Sequence, residues 1–291
     1  MERLHAALTD QLASLRTENR RLRQLREAAL AAEQYPNRVA GHEGVLVRAG
    51  RVLKPLPEDG RKSIEAGFYQ RLSQQGDAHA HAAEYAALRQ FTPTYCCIER
   101  HGGKDYLGLG DLCAPFSCPC VADVKIGTST CYPDEPAEHI ARKLAKFPLQ
   151  ARFGYRFSGM QVYSVATASY RRFGKDYGRS QTADEMQRGD GFTTFFAGCC
   201  DAASRRDILQ RVLLKVEAIL CWFEENTLFH FRSSSILIIY EGDPACVSNS
   251  VDVRLIDFAH VTAGHSCADT CCIDGLRIIV QLLQTLLAHE A

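Results

Sequence analysis

Acidic and basic residues occur along this chain in a pattern that suits the handling of phosphate groups. Asp123 and Lys125 lie two residues apart in the otherwise apolar stretch PCVADVKIG, residues 119–127. Lys54 precedes a proline, and Asp257 follows an apolar run in LIDFAH. A strand lysine can pair with nucleotide phosphates, and an aspartate after a buried strand can hold magnesium. Together these residues predict nucleotide-dependent phosphoryl transfer.

The spacing of Asp123 and Lys125 places both side chains on one face if the stretch is a strand, because side chains alternate along a strand. Two opposite charges on one face can reach the same ligand, with Lys125 neutralising phosphate oxygens. A structural ion pair is the alternative interpretation, because such networks also hold charges in half-buried segments.

Motifs of the common nucleotide-binding folds are absent from the sequence. Asp257 and Phe258 are followed by Ala259, where protein kinases have glycine, and no H-R-D catalytic loop occurs. The sequence also lacks a G-x-G-x-x-G loop and a Walker A motif. An ordinary protein kinase and a P-loop enzyme are therefore excluded.

Composition indicates a globular chain of one large domain or two lobes, with 291 residues, 46% hydrophobic and 23% charged. Lys+Arg and Asp+Glu balance at 34 each, which argues against nucleic acid as a partner but permits a local basic pocket. No apolar run approaches the ~18 residues of a membrane span. The N-terminus lacks a signal-peptide core, so we expect an intracellular protein of the nucleus, the cytoplasm or both.

The thirteen cysteines lack the C-x-x-C spacing that is typical of zinc sites. An intracellular location also disfavours disulfides. We therefore expect reduced thiols.

Hydrophobic periodicity locates the elements that must position these residues. Leucines in residues 1–33 predict a helix, either a short coiled-coil arm or a helix packed on its own domain. Further helices are predicted over 64–72, 136–147, 205–227 and 275–290. Strand pairs are predicted over 40–56 and over 154–167, and short strands over 91–127. Two adjacent buried strands are predicted over 231–242 and 251–261. Residues 173–182 are predicted to form a loop.

This order of elements gives a β-rich N-terminal part and a mixed C-terminal part, so a small-molecule cleft between two lobes is plausible. The helix over 136–147 has a basic side. The default interpretation is that this basic side is exposed to solvent, and the more specific alternative is that it binds phosphate. The residues concerned are His139, Arg142, Lys143 and Lys146.

Several stretches, taken in order, resemble the inositol polyphosphate kinase family. PCVADVKIG matches the P-x-x-x-D-x-K-x-G signature of that family, SSSIL its Ser-Ser-Leu-Leu element, and IDFAH its Ile-Asp-Phe-Ala-His element. The similarity runs from about Val39 to Leu287 and includes VAGHEG, LKPL, FYQRL, SGMQVY and YGRS. Each element alone is weak, but the full ordered set is specific.

The resemblance implies an α+β fold with two lobes, like a reduced protein kinase with an ATP-grasp-like cleft, antiparallel sheets and flanking helices. It implies an N-terminal helical extension over 1–35 and an N-lobe with ATP-binding strands and a hinge over 36–112. A C-lobe over 113–291 would carry an inositol phosphate helix and a metal site.

By the same resemblance, ATP and Mg²⁺ are the expected cofactors, and Asp123, Lys125 and Asp257 the catalytic residues. Lys54 should contact ATP phosphates, Asp123 the ribose hydroxyls, and Lys125 the substrate phosphate or the moving phosphoryl group. Asp257 should contact the nucleotide and ligate magnesium, with help from Ser235. The hinge LGDLC should read adenine through backbone atoms and contributes Gly110, Asp111 and Leu112 to the expected ATP site.

The expected substrate is an inositol polyphosphate, bound by Lys125, by the helix over 136–147 and by His260. The residues of that helix are His139, Arg142, Lys143 and Lys146. Many relatives have lysine where this chain has His139, so the basic charge is redistributed. A histidine is only partly charged near pH 7, and substrate binding is therefore expected to depend on pH.

Within the family the chain looks most like the multikinase branch, which phosphorylates inositol tris- and tetrakisphosphates. The inositol hexakisphosphate kinase branch, which makes pyrophosphates, is the alternative. A non-catalytic signalling scaffold is a further alternative, with a protein partner bound through the N-terminal helix. Phosphatidylinositol bisphosphate is a second candidate substrate, because its head group resembles an inositol polyphosphate. The sequence leaves open which ring hydroxyls react.

Overall fold

The computed structural model of the protein describes residues 32–40, 43–56, 61–74, 81–132, 135–199, 201–246 and 251–290. Two five-stranded antiparallel sheets, one in each lobe, are flanked by helices. The expected α+β fold with two lobes is confirmed. The predicted helix over 1–33 falls almost entirely outside the described residues.

The N-lobe sheet has the strand order β1-β2-β3-β5-β4. Its two hairpins turn through two residues each, Ala49-Gly50 and Gly102-Gly103, all four with positive φ. Such turns match the twist of the flanking strands. The elements of this lobe are β1 (Glu33–Gln34), β2 (Leu46–Arg48), β3 (Arg51–Pro55), α1 (Arg61–Ser73), α2 (Ala82–Arg89), β4 (Tyr95–His101) and β5 (Lys104–Gly110).

The C-lobe sheet has the order β11-β10-β6-β7-β8, so β6 is its central strand. All but one of the residues of β6 are buried, which explains the nearly continuous apolar run around Asp123 and Lys125. A small sheet of β9 and β12 lies beside it. The strands are β6 (Pro119–Ile126), β7 (Tyr155–Ser164), β8 (Ser169–Phe173), β9 (His230–Phe231), β10 (Ser235–Glu241), β11 (Val251–Ile256) and β12 (Val261–Thr262).

The C-lobe helices include two long ones that pack against each other, α8 and α9. Val212, Val216, Ile219 and Phe223 recur at helical spacing on α8 and are fully buried, so they form its core face. The helices are α3 (Ala137–Lys146), α4 (Gln150–Phe153), α5 (Lys175–Ser180), α6 (Ala183–Arg188), α7 (Asp190–Phe196), α8 (Ala202–Glu225) and α9 (Thr270–His289).

Two expectations about local structure are wrong. Residues 154–167 contain one ten-residue strand, β7, whose partner β8 begins only at Ser169. Residues 173–182 contain the helix α5 rather than a loop alone. Gly178 suggested a loop, but it is there for packing: a Cβ at this position would lie 1.9 Å from the Phe157 carbonyl oxygen.

The helix α9 is long and apolar enough to cross a membrane, judged by length and composition alone. Its mean hydropathy reaches 1.5 over an 18-residue stretch, of which 44% is buried inside the molecule. The sequence analysis found no such stretch, because Asp274 and Arg277 interrupt the apolar run. Leu276, Ile279 and Leu283 pack into the core, as expected of a core helix.

Candidate active site

A cleft of about 870 Å³, open to solvent, lies between the two lobes. Its size is that of a small-molecule site. The charged residues that line it are the predicted Lys54, Asp123 and Asp257, together with Arg38 and with Glu65 of α1. Apolar lining residues come from both sheets and from the segments that adjoin them, and they include Val45, Val52, Leu109, Leu112, Val121, Leu237 and Ile256.

Two lysines converge on one carboxylate at the inner end of the cleft. The Nζ of Lys54 donates to Oδ1 of Asp257 at 2.8 Å, and the Nζ of Lys125 donates to Oδ2 at 2.7 Å. Lys54 also contacts Oε1 of Glu65 at 2.8 Å. Glu65 was given no role from the sequence, although protein kinases pair the strand lysine with a glutamate of a following helix and Glu65 lies on the predicted helix over 64–72.

The strand register brings these residues together. Ser235 of β10 pairs with Lys125 on one side and with Ile256, the last residue of β11, on the other. Asp257 then leaves β11 with φ +67°, a left-handed conformation that is uncommon for aspartate and often found at functional sites. The Ser234 hydroxyl donates to the Asp257 carbonyl at 2.8 Å and holds this turn.

The charges in the cleft shift one another's pKa values. Burial would raise the pKa of Asp257, but the ammonium groups of Lys125 and Lys54 outweigh it and hold that pKa well below its usual range. Burial raises the pKa of Asp123, with opposition from Lys125. Burial would lower the pKa values of both lysines, but their carboxylate neighbours raise them. Both lysines are therefore cations at neutral pH.

Two orphaned polar atoms support a metal–nucleotide site at this point. Oδ1 of Asp123 and Oγ of Ser235 are buried with no hydrogen bond of ordinary length among the described residues, although the two side chains lie close enough for Ser235 to lower the pKa of Asp123. In the part of the chain that the structure describes, no group of three His, Cys, Asp or Glu side chains is arranged to hold a metal. Magnesium usually takes one or two carboxylates and completes its shell with water and substrate phosphates, so this donor set fits it.

The predicted hinge joins the lobes at Gly110, Asp111 and Leu112. Gly110 and Leu112 line the cleft, and the Gly110 amide is already used in a bond to the Thr94 carbonyl at 2.8 Å. The Asp111 carboxylate does not line the cleft. It accepts from the Tyr35 hydroxyl at 2.7 Å and from the Cys113 amide at 2.9 Å, which fastens the hinge. Asp111 therefore has a structural contact where we expected a nucleotide contact.

Residues 35–40, which we term the cleft strap, cross the C-lobe sheet and line the same cleft. The Gln161 amide group donates to Oδ1 of Asn37 at 2.9 Å and to the Pro119 carbonyl at 3.0 Å. A Cβ on Gly159 would lie 1.9 Å from the Val39 carbonyl oxygen, so only glycine permits the strap to pass. Sequence analysis missed the strap, although its partners lie in the quoted element SGMQVY.

The predicted substrate helix is α3, which has no buried residue. Its four basic residues lie within one face, but Lys143 is paired with Glu135 at 2.7 Å and also donates to the Thr130 carbonyl. His139, Arg142 and Lys146 have no ion pair among the described residues. His260 follows β11 and lies 6.3 Å from the Tyr132 ring, measured between ring centroids.

The fold and this cleft define a two-lobed, kinase-like class of protein. The family model for inositol polyphosphate kinase matches residues 106–284. The chain belongs to the inositol polyphosphate kinase family.

Relatives support the same assignment. Inositol polyphosphate multikinase alpha of Arabidopsis thaliana is 30% identical over 278 residues, which cover 86% of this chain and 94% of that protein. The rat inositol polyphosphate multikinase is 34% identical over 217 residues, which cover 71% and 53%. Inositol hexakisphosphate kinase 3 of mouse is 29% identical over 220 residues, which cover 70% and 52%.

Two solved structures share the fold. The inositol phosphate multikinase Ipk2 of S. cerevisiae, in complex with ADP and Mn²⁺, has a TM-score of 0.66 at 23% identity and covers 84% of this chain and 100% of that one. A second inositol phosphate multikinase structure has a TM-score of 0.60 at 27% identity and covers 77% and 99%.

Proposed function

We propose that this protein is an ATP-dependent inositol polyphosphate kinase of the multikinase type. It transfers the γ-phosphate of ATP to hydroxyl groups of inositol tris- and tetrakisphosphates. One observation carries the proposal: Lys54, Asp123 and Asp257, which come from both lobes, line one cleft, and Lys125 joins them through its ion pair with Asp257. The multikinase relatives, one of which matches this chain over 94% of its own length, support the substrate class.

In this proposal the apolar walls of the cleft hold adenine, and the hinge contacts it through backbone atoms of Gly110 and Leu112. Lys54 binds nucleotide phosphates, with Glu65 holding its ammonium group in place. Asp257 holds Mg²⁺, with Asp123 and Ser235 near enough to assist. When bound, the metal neutralises charge on the phosphate oxygens.

Lys125 contributes positive charge to the phosphoryl group in transit, at the boundary between the nucleotide and the substrate. A loose transition state needs positioning and charge stabilisation more than a strong base. The basic residues of α3 and His260 orient the inositol phosphate so that its accepting hydroxyl faces the γ-phosphate. Orientation of this kind supplies a large part of the rate enhancement in two-substrate reactions.

The test is a transfer assay with ATP labelled in the γ-phosphate and, separately, inositol tris-, tetrakis-, pentakis- and hexakisphosphates. Anion-exchange chromatography then separates the products. We expect label in tetrakis- and pentakisphosphate products. Product from hexakisphosphate alone would favour a hexakisphosphate kinase, and no product from any of them, with ATP binding intact, would favour a scaffold.

The lipid substrate, the protein partner and the location remain our proposals. Vesicles that contain phosphatidylinositol bisphosphate, used in the same assay, test the lipid. A pull-down with and without residues 1–35 tests the partner, and a fluorescent fusion tests for the nucleus and the cytoplasm.

A further inference from the structure

A pair of arginines beside the catalytic lysine has no role in the function described so far. Arg156 of β7 pairs in register with Lys125 of β6, and partners in an antiparallel pair project to the same face. Phe157 and Val124, the next pair, are buried in the core on the other face. Arg156 therefore lies on the cleft side of the sheet, next to Lys125.

Arg156 has mainly apolar and cationic surroundings, and the nearby carboxylate of Asp123 forms no ion pair with it. Its guanidinium lies over the Phe147 ring, 5.3 Å from the centroid, and Phe147 directly follows Lys146 of α3. Its Nε is buried without a hydrogen-bond partner, and no carboxylate forms an ion pair with it, among the residues that the structure describes. Burial, and after it the charge of Arg179, lowers the pKa of Arg156.

Arg179 reaches this position because α5 packs on the part of β7 that β8 does not cover. Gly178 lies against the Phe157 carbonyl oxygen, which brings the next residue close to Arg156. The ion pair of Arg179 with Asp176 is weak, because the two atoms are 3.5 Å apart and the Asp176 side chain is fully exposed. Arg179 belongs to the quoted element YGRS, and Arg156 lies two residues before the quoted element SGMQVY, and neither charge has been explained.

A half-buried arginine next to a second arginine is unfavourable in the free protein, because its charge is partly desolvated and repelled. An anion between the two would remove both penalties, and guanidinium groups bind phosphate in a bidentate manner. We propose that Arg156 and Arg179 form a phosphate subsite for the inositol polyphosphate, beside β7 and near the C-terminal end of α3. This inference rests on the proposed function.

The test is steady-state kinetics of Arg156→Met and Arg179→Gln, with inositol trisphosphate and ATP varied in turn. Loss of a charge-assisted contact to phosphate should raise the KM for inositol trisphosphate roughly 10- to 100-fold. The KM for ATP should change less than about twofold, because Lys54 and the hinge are untouched. Arg156→Lys should restore part of the affinity.

Arg206→Gln is the matched control, since Arg206 is exposed on α8, away from the cleft. A KM for inositol trisphosphate within about twofold of wild type in folded Arg156→Met would overturn the subsite. If that variant fails to fold, Arg179→Gln decides in the same way. A wild-type protein that phosphorylates no inositol phosphate would overturn the proposed function itself, and the two failures are thus distinct.

Discussion

Asp257 is the residue on which the charged network of the cleft depends, and Asp257→Asn is the most informative change. The carboxylate accepts from Lys54 at 2.8 Å and from Lys125 at 2.7 Å. The amide of asparagine has nearly the same shape but no charge. It would contact one lysine through its oxygen and present its own NH₂ group to the other.

The structure allows the size of the effect to be worked out. Lys54 keeps Glu65 as a partner, whereas Lys125, with a side chain only 16% exposed, keeps only the buried Asp123 nearby. Breaking a buried pair costs about 3–5 kcal/mol, and partial exposure reduces this to about 2–4 kcal/mol. For a chain of this size that loss lowers Tm by roughly 5–15 °C. Turnover should fall by at least roughly 10²–10³-fold, because the metal loses a charged ligand.

A matched control separates chemistry from folding. Asp252, on the same strand, also contacts two cations, Arg254 at 2.8 Å and Lys215 at 3.5 Å, but it does not line the cleft. Asp252→Asn should lose stability without losing turnover. The assays are thermal unfolding without nucleotide and phosphate transfer at saturating ATP. Asp257→Asn with more than a tenth of wild-type turnover would refute a metal role for Asp257.

Two further predictions concern the strap and a reactive thiol. Gly159→Ala should destabilise the fold by about 1–3 kcal/mol and raise the KM for ATP, because the new methyl group displaces Val39. Gly174→Ala is the control, because a Cβ at that position has no atom within 4 Å, and it should change neither quantity. Chemical unfolding measures the stability, and steady-state kinetics measure the KM. A hydrogen bond from the Cys272 thiol lowers the pKa of Cys271 from 9.0 to about 6, so alkylation of Cys271 should reach half its maximal rate near pH 6. A labelling rate that rises only above pH 8 would contradict this.

Much of the fold follows from periodicity. The strands around Asp123 and Asp257 and the helices α1, α3, α8 and α9 have patterns long enough to be assigned from the sequence. The elements that were missed or misassigned are short, such as α5, α6 and α7. Such helices depend on tertiary packing, and glycines at close contacts look like loop residues in the sequence.

The candidate site divides in the same way. Asp123, Lys125 and Asp257 carry a motif and a strand context, so their convergence could be predicted. The contact of Glu65 with Lys54 and the course of the strap could not, because each depends on how separate elements pack against one another. The contact of the Asp111 carboxylate with a residue 76 positions away, Tyr35, could not be predicted from the sequence either.

The pairing of charges explains how one cleft can serve two anionic ligands differently. At the nucleotide end, each lysine has a carboxylate partner, so ATP with its metal must exchange one set of contacts for another. On the proposed substrate walls, Arg142, Lys146 and Arg156 have no carboxylate partner among the described residues. An inositol phosphate therefore gains new contacts without breaking old ones. Because Arg142 and Lys146 are exposed, whereas Lys54 and Lys125 are partly buried, salt should weaken substrate binding more than nucleotide binding.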